Sequence, residues 1–455
     1  MSANVKRIDM CNGPIFLNAV KYTIPIIFSA LLQLFFNAAD LIVVGRFCGS
    51  NSVAAVGATG SLISLIVNFF MGMASGVSVV VSNAIGAENK NNIKQAVHTI
   101  VPLGFLAGAI LTVVGILYSV PILKLMTTPS DILPLSSLYT RIYFLGMIPS
   151  FSFEFIASIF RSAGDTKTPM KYLSLAGIIN FALNVFFVTV FNLDVAGVAL
   201  ATVISQVVSF LLILRALMRR EDECKFEIGK IRIHIIPFKK ILAIGFPAGI
   251  QSSIFAVSNV IIQSSVNGFG ATVVAGNSAA QNIEGFVYAS MHAHYHTSIN
   301  FTGQNMGAGK FDRILRSIGA CLISVFAVGV TLGTLCRVFA PNLLAVYITD
   351  NPDAILYGIK RMSYIGQFYF LCGIMEVFTG AIRGMGASLT SLFISVVGVC
   401  GVRLGWIFTV FRISQFHTLD SLYLSYLASW SVCIIAQIIA FSIIYRKYKK
   451  KLIKE

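Results

Sequence analysis

The chain writes one pattern twice. Residues 153–169 (FEFIASIFRSAGDTKTP) are echoed by 375–391 (MEVFTGAIRGMGASLTS). Glu154, Arg161, Gly164 and Thr168 return as Glu376, Arg383, Gly386 and Thr390, at one offset of 222. Pro25 and Pro247 keep that offset, as do Asn37 and Asn259, while Gly86-Ala87 and Gly307-Ala308 fall one residue short of it. A duplication of this length restricts the fold to two similar lobes. In a long apolar chain, such pseudo-symmetry is a common way to build a membrane carrier.

The apolar character is clear. Of 455 residues, 56% are apolar and 11% charged, and the mean hydropathy is +0.82. A soluble domain carries about 25% charged residues, so a soluble fold is excluded. Runs long enough to cross a bilayer, roughly 20 residues each, recur at 15–45, 52–84, 95–120, 132–160, 170–191, 195–217, 239–267, 273–303, 314–338, 355–382, 387–411 and 421–445. The expected fold is therefore an all-α integral membrane protein with twelve transmembrane helices in two six-helix lobes.

The formal charge of +16 follows the membrane rather than nucleic acid. With both termini cytoplasmic, only Arg46, Lys124, Arg141, Arg337, Lys360, Arg361 and Arg412 of the 34 Lys and Arg fall outside, and Arg403 sits within a span. That bias is the positive-inside rule. The tail RKYKKKLIK (446–454) reads as an anchor near anionic lipid. The eight cysteines show no pairing or metal spacing. The first residues are polar and read as a short cytoplasmic helix or strand leading into Pro14.

The longest polar stretch, RREDEC (219–224) with the basic residues up to Lys240, lies midway. It divides the chain into lobes 1–217 and 239–455 joined by a cytoplasmic linker, 218–238. Six spans per lobe return the chain to the same side, so the lobes have parallel topology, with the substrate path expected between them. The loop after each second span carries a repeated signature, NAIGAENKNNI (83–93) and QNMGAGKFDRI (304–314). Pro25 and Pro247, at equivalent positions, make the first helix of each lobe a candidate for bending.

Acidic residues within spans are few: Asp40, Glu154, Glu284 and Glu376. A buried ionisable group in lipid is a functional candidate by default. Asp40 is the best, flanked by Ala38, Ala39, Leu41 and Ile42 with no basic residue before Arg46. Asn180 and Asn184 share one helix face at i and i+4, and Thr202 lies at similar depth in the next span. One carboxylate with amide and hydroxyl oxygens suits a hard cation, and the same carboxylate when desolvated suits a proton. The second lobe lacks this set: Asp40 aligns with Ile262, Asn180 with Val402 and Asn184 with Trp406.

Glu154 and Arg161 lie two turns apart, as do Glu376 and Arg383, about 10 Å along a helix axis. At that distance a direct pair is not expected, and structural or gating roles are. In the second lobe Gln251, Gln263, Gln281, Glu284 and the histidines His292, His294 and His296 are the remaining polar groups. Glu284, Glu376 and Gln281 are candidates for a substrate contact or a second proton site, and no metal site is expected beyond Na⁺ at the coupling set.

At these motifs the chain resembles the multidrug and toxic compound extrusion (MATE) family over its whole length. The resemblance rests on NAADLIVVGRFCG (37–49), the two GA loops, FRSAGDTKTP (160–169) with IRGMGASLTS (382–391), NFALN (180–184) and GVALATVIS (197–205). It implies an antiporter of twelve helices in two lobes. Such a carrier exports organic, often cationic or polyaromatic compounds in exchange for Na⁺ or H⁺. It implies that Asp40, Asn180, Asn184 and Thr202 occupy the cation-binding positions of the N-terminal lobe. The family often has Asp where Asn184 stands, so this site carries one fewer negative charge. Some members use an acid in the tenth span, which favours Glu376 over Glu154.

The expected partners are small-molecule drugs or metabolites and the lipid bilayer, with no nucleic acid, no cofactor beyond the coupling ion, and a monomeric chain. The expected location is the plasma membrane of a bacterium. The alternative is a flippase of a lipid-linked oligosaccharide. It calls for a basic cleft, and Arg403 alone stands within a span. An enzyme would need a nucleophile or metal cluster, and direct ATP coupling a phosphate-binding glycine loop. Neither is present.

Overall fold

The computed structural model describes residues 7–349 and 351–454, and the side chains among them apart from those of residues 50, 61 and 451–454. Every regular element among the described residues is helical. The helices are α1 (Ile15–Phe47), α2 (Ser50–Gly86), α3 (Lys90–Leu125), α4 (Leu133–Leu145), α5 (Met147–Ser162), α6 (Lys167–Thr189), α7 (Asp194–Met218), α8 (Ile235–Asn267), α9 (Ala271–Gly307), α10 (Phe311–Val338), α11 (Ala340–Ala345), α12 (Pro352–Arg361), α13 (Tyr369–Gly384), α14 (Ser388–Ser395), α15 (Val402–Phe408) and α16 (Leu419–Lys454). In lipid only a helix satisfies its own backbone within one segment, so apolar runs of this length have no other regular choice short of a closed barrel.

Eight of these helices and the continuous stretch Ser388–Arg412, which includes α14 and α15, are long and apolar enough to span a bilayer, and two bent pairs raise the number from nine to eleven among the described residues. The remaining expected span, 273–303, is α9. It has the length, 37 residues or about 55 Å of rise. It lacks the hydropathy, because Asn277, Gln281, Glu284, His292, His294, His296, Asn300 and Gln304 all lie on it. Most of these polar groups are buried within the protein, where neighbouring helices supply partners that lipid does not.

The repeat extends to the backbone. α4 and α5 meet at 44°, and the helix through Pro352–Gly366 meets α13 at 40°. The first break is at Gly146, where an added Cβ would stand 2.2 Å from Gln206 Oε1. Phe368, one offset of 222 later, precedes α13. Gly164 and Gly386 end equivalent helices in the left-handed region, at φ 82° and 85°. Pro25 and Pro247 lie inside α1 and α8, which each run as one helix. The sharp bends fall in the fourth and tenth spans, not the first and seventh.

Two compact units emerge. One comprises Met1–Ile8 and Phe28–Leu242, the other Asp9–Ile27 and Ala243–Glu455. The first half of α1 therefore groups with the later part of the chain. The polar stretch after α7 belongs to the first unit because Cys224 and Phe226 are buried in its core beside Val97, Ile213 and Leu217. The Glu227 amide donates to His98 Nε2 at 3.2 Å and the His234 amide to Thr99 Oγ1 at 3.0 Å. Residues 9–13 form an irregular turn rather than a helix or strand. The Asp9 carboxylate accepts from the amides of Cys11 and Asn12 at 2.9 and 2.8 Å. Residues 1–6 lie outside the described residues, as do the side chains of the basic tail from 451 onward. Lys449 of that tail pairs with Asp312 at 2.8 Å.

Candidate functional site

Within the first unit, α1, α6 and α7 bring the expected polar set together. Asn184 is fully buried, and its amide nitrogen donates to Asp40 Oδ1. The Asn180 amide satisfies its neighbours with its nitrogen 2.8 Å from Asp40 Oδ1 and its oxygen accepting from Thr202 Oγ1 at 3.2 Å. When the single Thr202 hydroxyl proton goes instead to the Val198 carbonyl at 3.0 Å, the Asn180 oxygen accepts from the Thr202 backbone amide at 3.3 Å. Asn184 Oδ1 is buried and accepts no hydrogen bond among the described residues. No ion pair within 4.0 Å reaches Asp40 among those residues.

The local packing explains the convergence. Gly177 lies one turn before Asn180 on α6, and Phe36 one turn before Asp40 on α1. The Phe36 ring occupies the space a Cβ at position 177 would fill, 1.7 Å from its Cε2. The missing side chain lets α1 approach α6 closely enough for carboxylate and amides to meet. Val43, Val44, Val188, Val195 and Val198 form the apolar wall below. Tyr139 and Tyr143 of α4 stack 6.0 Å apart and pack in the same apolar cluster as Val43 and Val44. Sequence reasoning missed both. Their signal was one-turn spacing of tyrosines in an otherwise apolar run.

Glu154 and Arg161 do form a direct ion pair, which corrects the expectation drawn from their separation. The two-turn rise separates backbones, whereas the two long side chains span it, with Ser158 Oγ between them at 2.9 Å from Arg161. The second copy behaves differently. Arg383 donates to Tyr295 Oη at 2.8 Å and Gln251 Oε1 at 2.7 Å. Glu376 instead lies 3.4 Å from His292 Nδ1.

Glu284 is buried and gripped by Arg361, with Nε at 3.1 and 3.2 Å from its two oxygens and Nη2 at 2.8 Å. Arg361 Nη1 also donates to Asn277 Oδ1 at 2.8 Å. Arg361 is therefore a buried partner and not an outer loop charge as the sequence suggested. Arg361, Arg383 and Arg403 are the three buried arginines among the described residues of the second unit. Gln281 is exposed, its nitrogen 3.4 Å from Gln263 Oε1, and it joins neither Glu284 nor Glu376. No group of three or more His, Cys, Asp or Glu arranged for a metal occurs among the described residues.

Up to eleven candidate spans among the described residues, duplicated bends and polar clusters held inside helix bundles define a multi-pass membrane protein. The MatE family model matches residues 25–186 and 247–408, two segments again 222 apart and each beginning at a paired proline. The chain belongs to that family. It is 28% identical over 423 residues to the probable multidrug resistance protein YoeA of Bacillus subtilis, covering 91% of this chain and 90% of that one. It is 25% identical to the probable multidrug resistance protein NorM of Thermotoga maritima, covering 88% and 87%. An outward-facing MATE transporter of the MOP superfamily superposes with a TM-score of 0.91 at 20% identity, over 98% of this chain and 99% of that one.

Proposed function

We propose that this protein is a secondary antiporter that expels lipophilic, often cationic compounds across a bacterial cell membrane in exchange for Na⁺ or H⁺. The observation that carries this reading is the convergence of Asp40, Asn180, Asn184 and Thr202 from three helices, in a chain of the MatE family. The multidrug names of its relatives favour drug-like cargo over a lipid-linked oligosaccharide. The reading calls for transport without covalent chemistry.

Asp40 is the coupling group. Its carboxylate, the carbonyl oxygens of Asn180 and Asn184 and the Thr202 hydroxyl offer hard oxygen ligands, and the unoccupied acceptor on Asn184 Oδ1 is what a small cation would engage. A proton uses the same atoms differently. A neutral Asp40 donates, and the Asn184 amide turns its oxygen to accept. Either ion neutralises a carboxylate that has no basic partner, and the resulting change in attraction between α1 and α6 biases the carrier toward one of its states. Glu376 with His292 is a second protonatable pair, subordinate to Asp40.

The test is efflux of a fluorescent organic cation from proteoliposomes containing the purified chain, driven separately by a Na⁺ gradient and by a pH gradient. Acceleration by at least one gradient is expected. Equal rates with and without both gradients would remove the antiport reading.

A further inference from the structure

The interior of the second unit carries more positive than negative charge. Its buried charged side chains among the described residues are Arg361, Arg383 and Arg403 against Glu284 and Glu376. Glu284 is committed to Arg361, and Glu376 lies by His292. Arg403 is 6% exposed and pairs with no carboxylate within 4.0 Å among the described residues. A cation within a membrane protein is ordinarily neutralised by a partner.

Of the Arg403 guanidinium nitrogens only Nε has a hydrogen-bond partner among the described residues. The guanidinium lies 4.1 Å from the Tyr426 ring centroid and 5.7 Å from that of Trp430, and its Nε donates to Ser429 Oγ at 2.9 Å. Aromatic rings engage a guanidinium through its face. The terminal N–H groups point in the plane, the direction from which an anion is bound by the fork. Tyr426 also lies beneath Arg361, at 5.7 Å, so one ring serves two buried cations.

The backbone marks the same place. A π-helical stretch, Val396–Gly401, runs directly into α15 and Arg403. A second, Met362–Gly366, follows directly on Arg361. Such π segments recur at functional sites. Under the offset of 222, Arg403 corresponds to Phe181, next to Asn180. Phe181 is exposed whereas Asn180 and Asn184 are buried, so the duplication gives Arg403 no polar counterpart in the first half.

We propose that Arg403, with Ser429, Tyr426 and Trp430, forms a binding site for a monovalent anion, either a halide or a carboxylate borne by a transported compound. The carboxylate alternative rests on the transport reading above, and the halide alternative does not.

Trp430 reports on it directly, since the chain has only two tryptophans. In purified full-length protein carrying Trp406→Phe, sodium iodide is titrated against sodium gluconate at constant ionic strength while Trp430 emission is read. The expected result is saturable quenching, displaced by chloride or by benzoate, with the apparent affinity weakened at least tenfold in Arg403→Gln and only partly restored in Arg403→Lys, which keeps the charge but not the stacked fork. Displacement by chloride alone identifies an inorganic anion, and displacement by benzoate identifies a carboxylate. Quenching that rises linearly without saturation overturns the proposal, whether or not the Arg403→Gln protein folds. Saturation that is unchanged in Arg403→Gln overturns it equally.

Discussion

Replacing Gly177 by alanine adds one methyl group where the structure has no space. The new Cβ would stand 1.7, 2.1 and 2.2 Å from three carbons of the Phe36 ring. Carbon atoms settle near 3.5–4.0 Å, so ring or helix must yield by more than 1 Å. Overpacking of this kind costs about 1–3 kcal/mol. The functional effect should exceed the stability effect, because Phe36 precedes Asp40 by one turn on the same helix. A displacement of about 1 Å is enough to lower a positioned interaction by orders of magnitude. The assays are thermal unfolding of the solubilised protein and ion-driven efflux in proteoliposomes. Gly177→Ala should lower the melting temperature and impair coupling. Phe36→Leu in the same chain should recover part of both, giving an interaction energy of about 0.5–3 kcal/mol in the double-mutant cycle. Gly319→Ala on α10, where an added Cβ meets nothing within 4 Å, is the control and should be neutral or mildly stabilising. Wild-type melting and coupling in Gly177→Ala would refute the argument that this contact sets the site.

Two further outcomes follow from other parts of the molecule. Glu284→Ala leaves Arg361 as a buried uncompensated charge and should destabilise the protein by about 3–5 kcal/mol, whereas Glu284→Ala with Arg361→Met should regain most of that; equal melting of the single and double variants would contradict the pairing. Asp222 titrates below its ordinary value of 3.8, since burial pushes it up but the Arg220 hydrogen bond and the charges of Arg220 and Arg7 outweigh that. A carboxylate lowered on folding contributes stability that is present above its unfolded value and lost as pH falls through the folded one. The segment after α7 should therefore hold at pH 5 and loosen only below about 3.8, and Arg220→Met should move that loosening to higher pH. Proteolysis of the segment against pH reads the shift, and identical profiles would count against it.

Much of this was legible because it depends on spacing. The duplicated residues announce the duplicated backbone, and the two family-model segments keep the offset of the paired prolines. Asn180 and Asn184 share a face by helix geometry alone, so their meeting with Asp40 needed only the right neighbouring helices. What escaped the sequence depends on side-chain reach and on context. Rise along an axis kept Glu154 from Arg161, while their side chains lean toward each other and close the gap. Arg361 looked like an outer charge because it stands where a span begins. The break between Gly366 and Tyr369 and the proximity of α9 instead turn it inward onto Glu284. α9 is too polar for a lipid-facing helix for the reason that makes it informative: most of its polar residues are buried within protein. The unequal use of Glu154–Arg161 and Glu376–Arg383 could not be read from identical motifs, since the partners Gln251, Tyr295 and His292 come from helices whose sequences have diverged.

The central claim is that Asp40 is the coupling group, and Asp40→Asn tests it most directly. The substitution keeps the shape of the side chain and removes the charge that a cation or proton would neutralise. With the variant reconstituted beside wild type, efflux of a fluorescent organic cation is measured with an imposed Na⁺ gradient and, separately, with an imposed pH gradient. The account predicts that the variant inserts, melts normally and no longer responds to whichever gradient drives the wild type. Gradient-driven efflux at the wild-type rate in Asp40→Asn would contradict it.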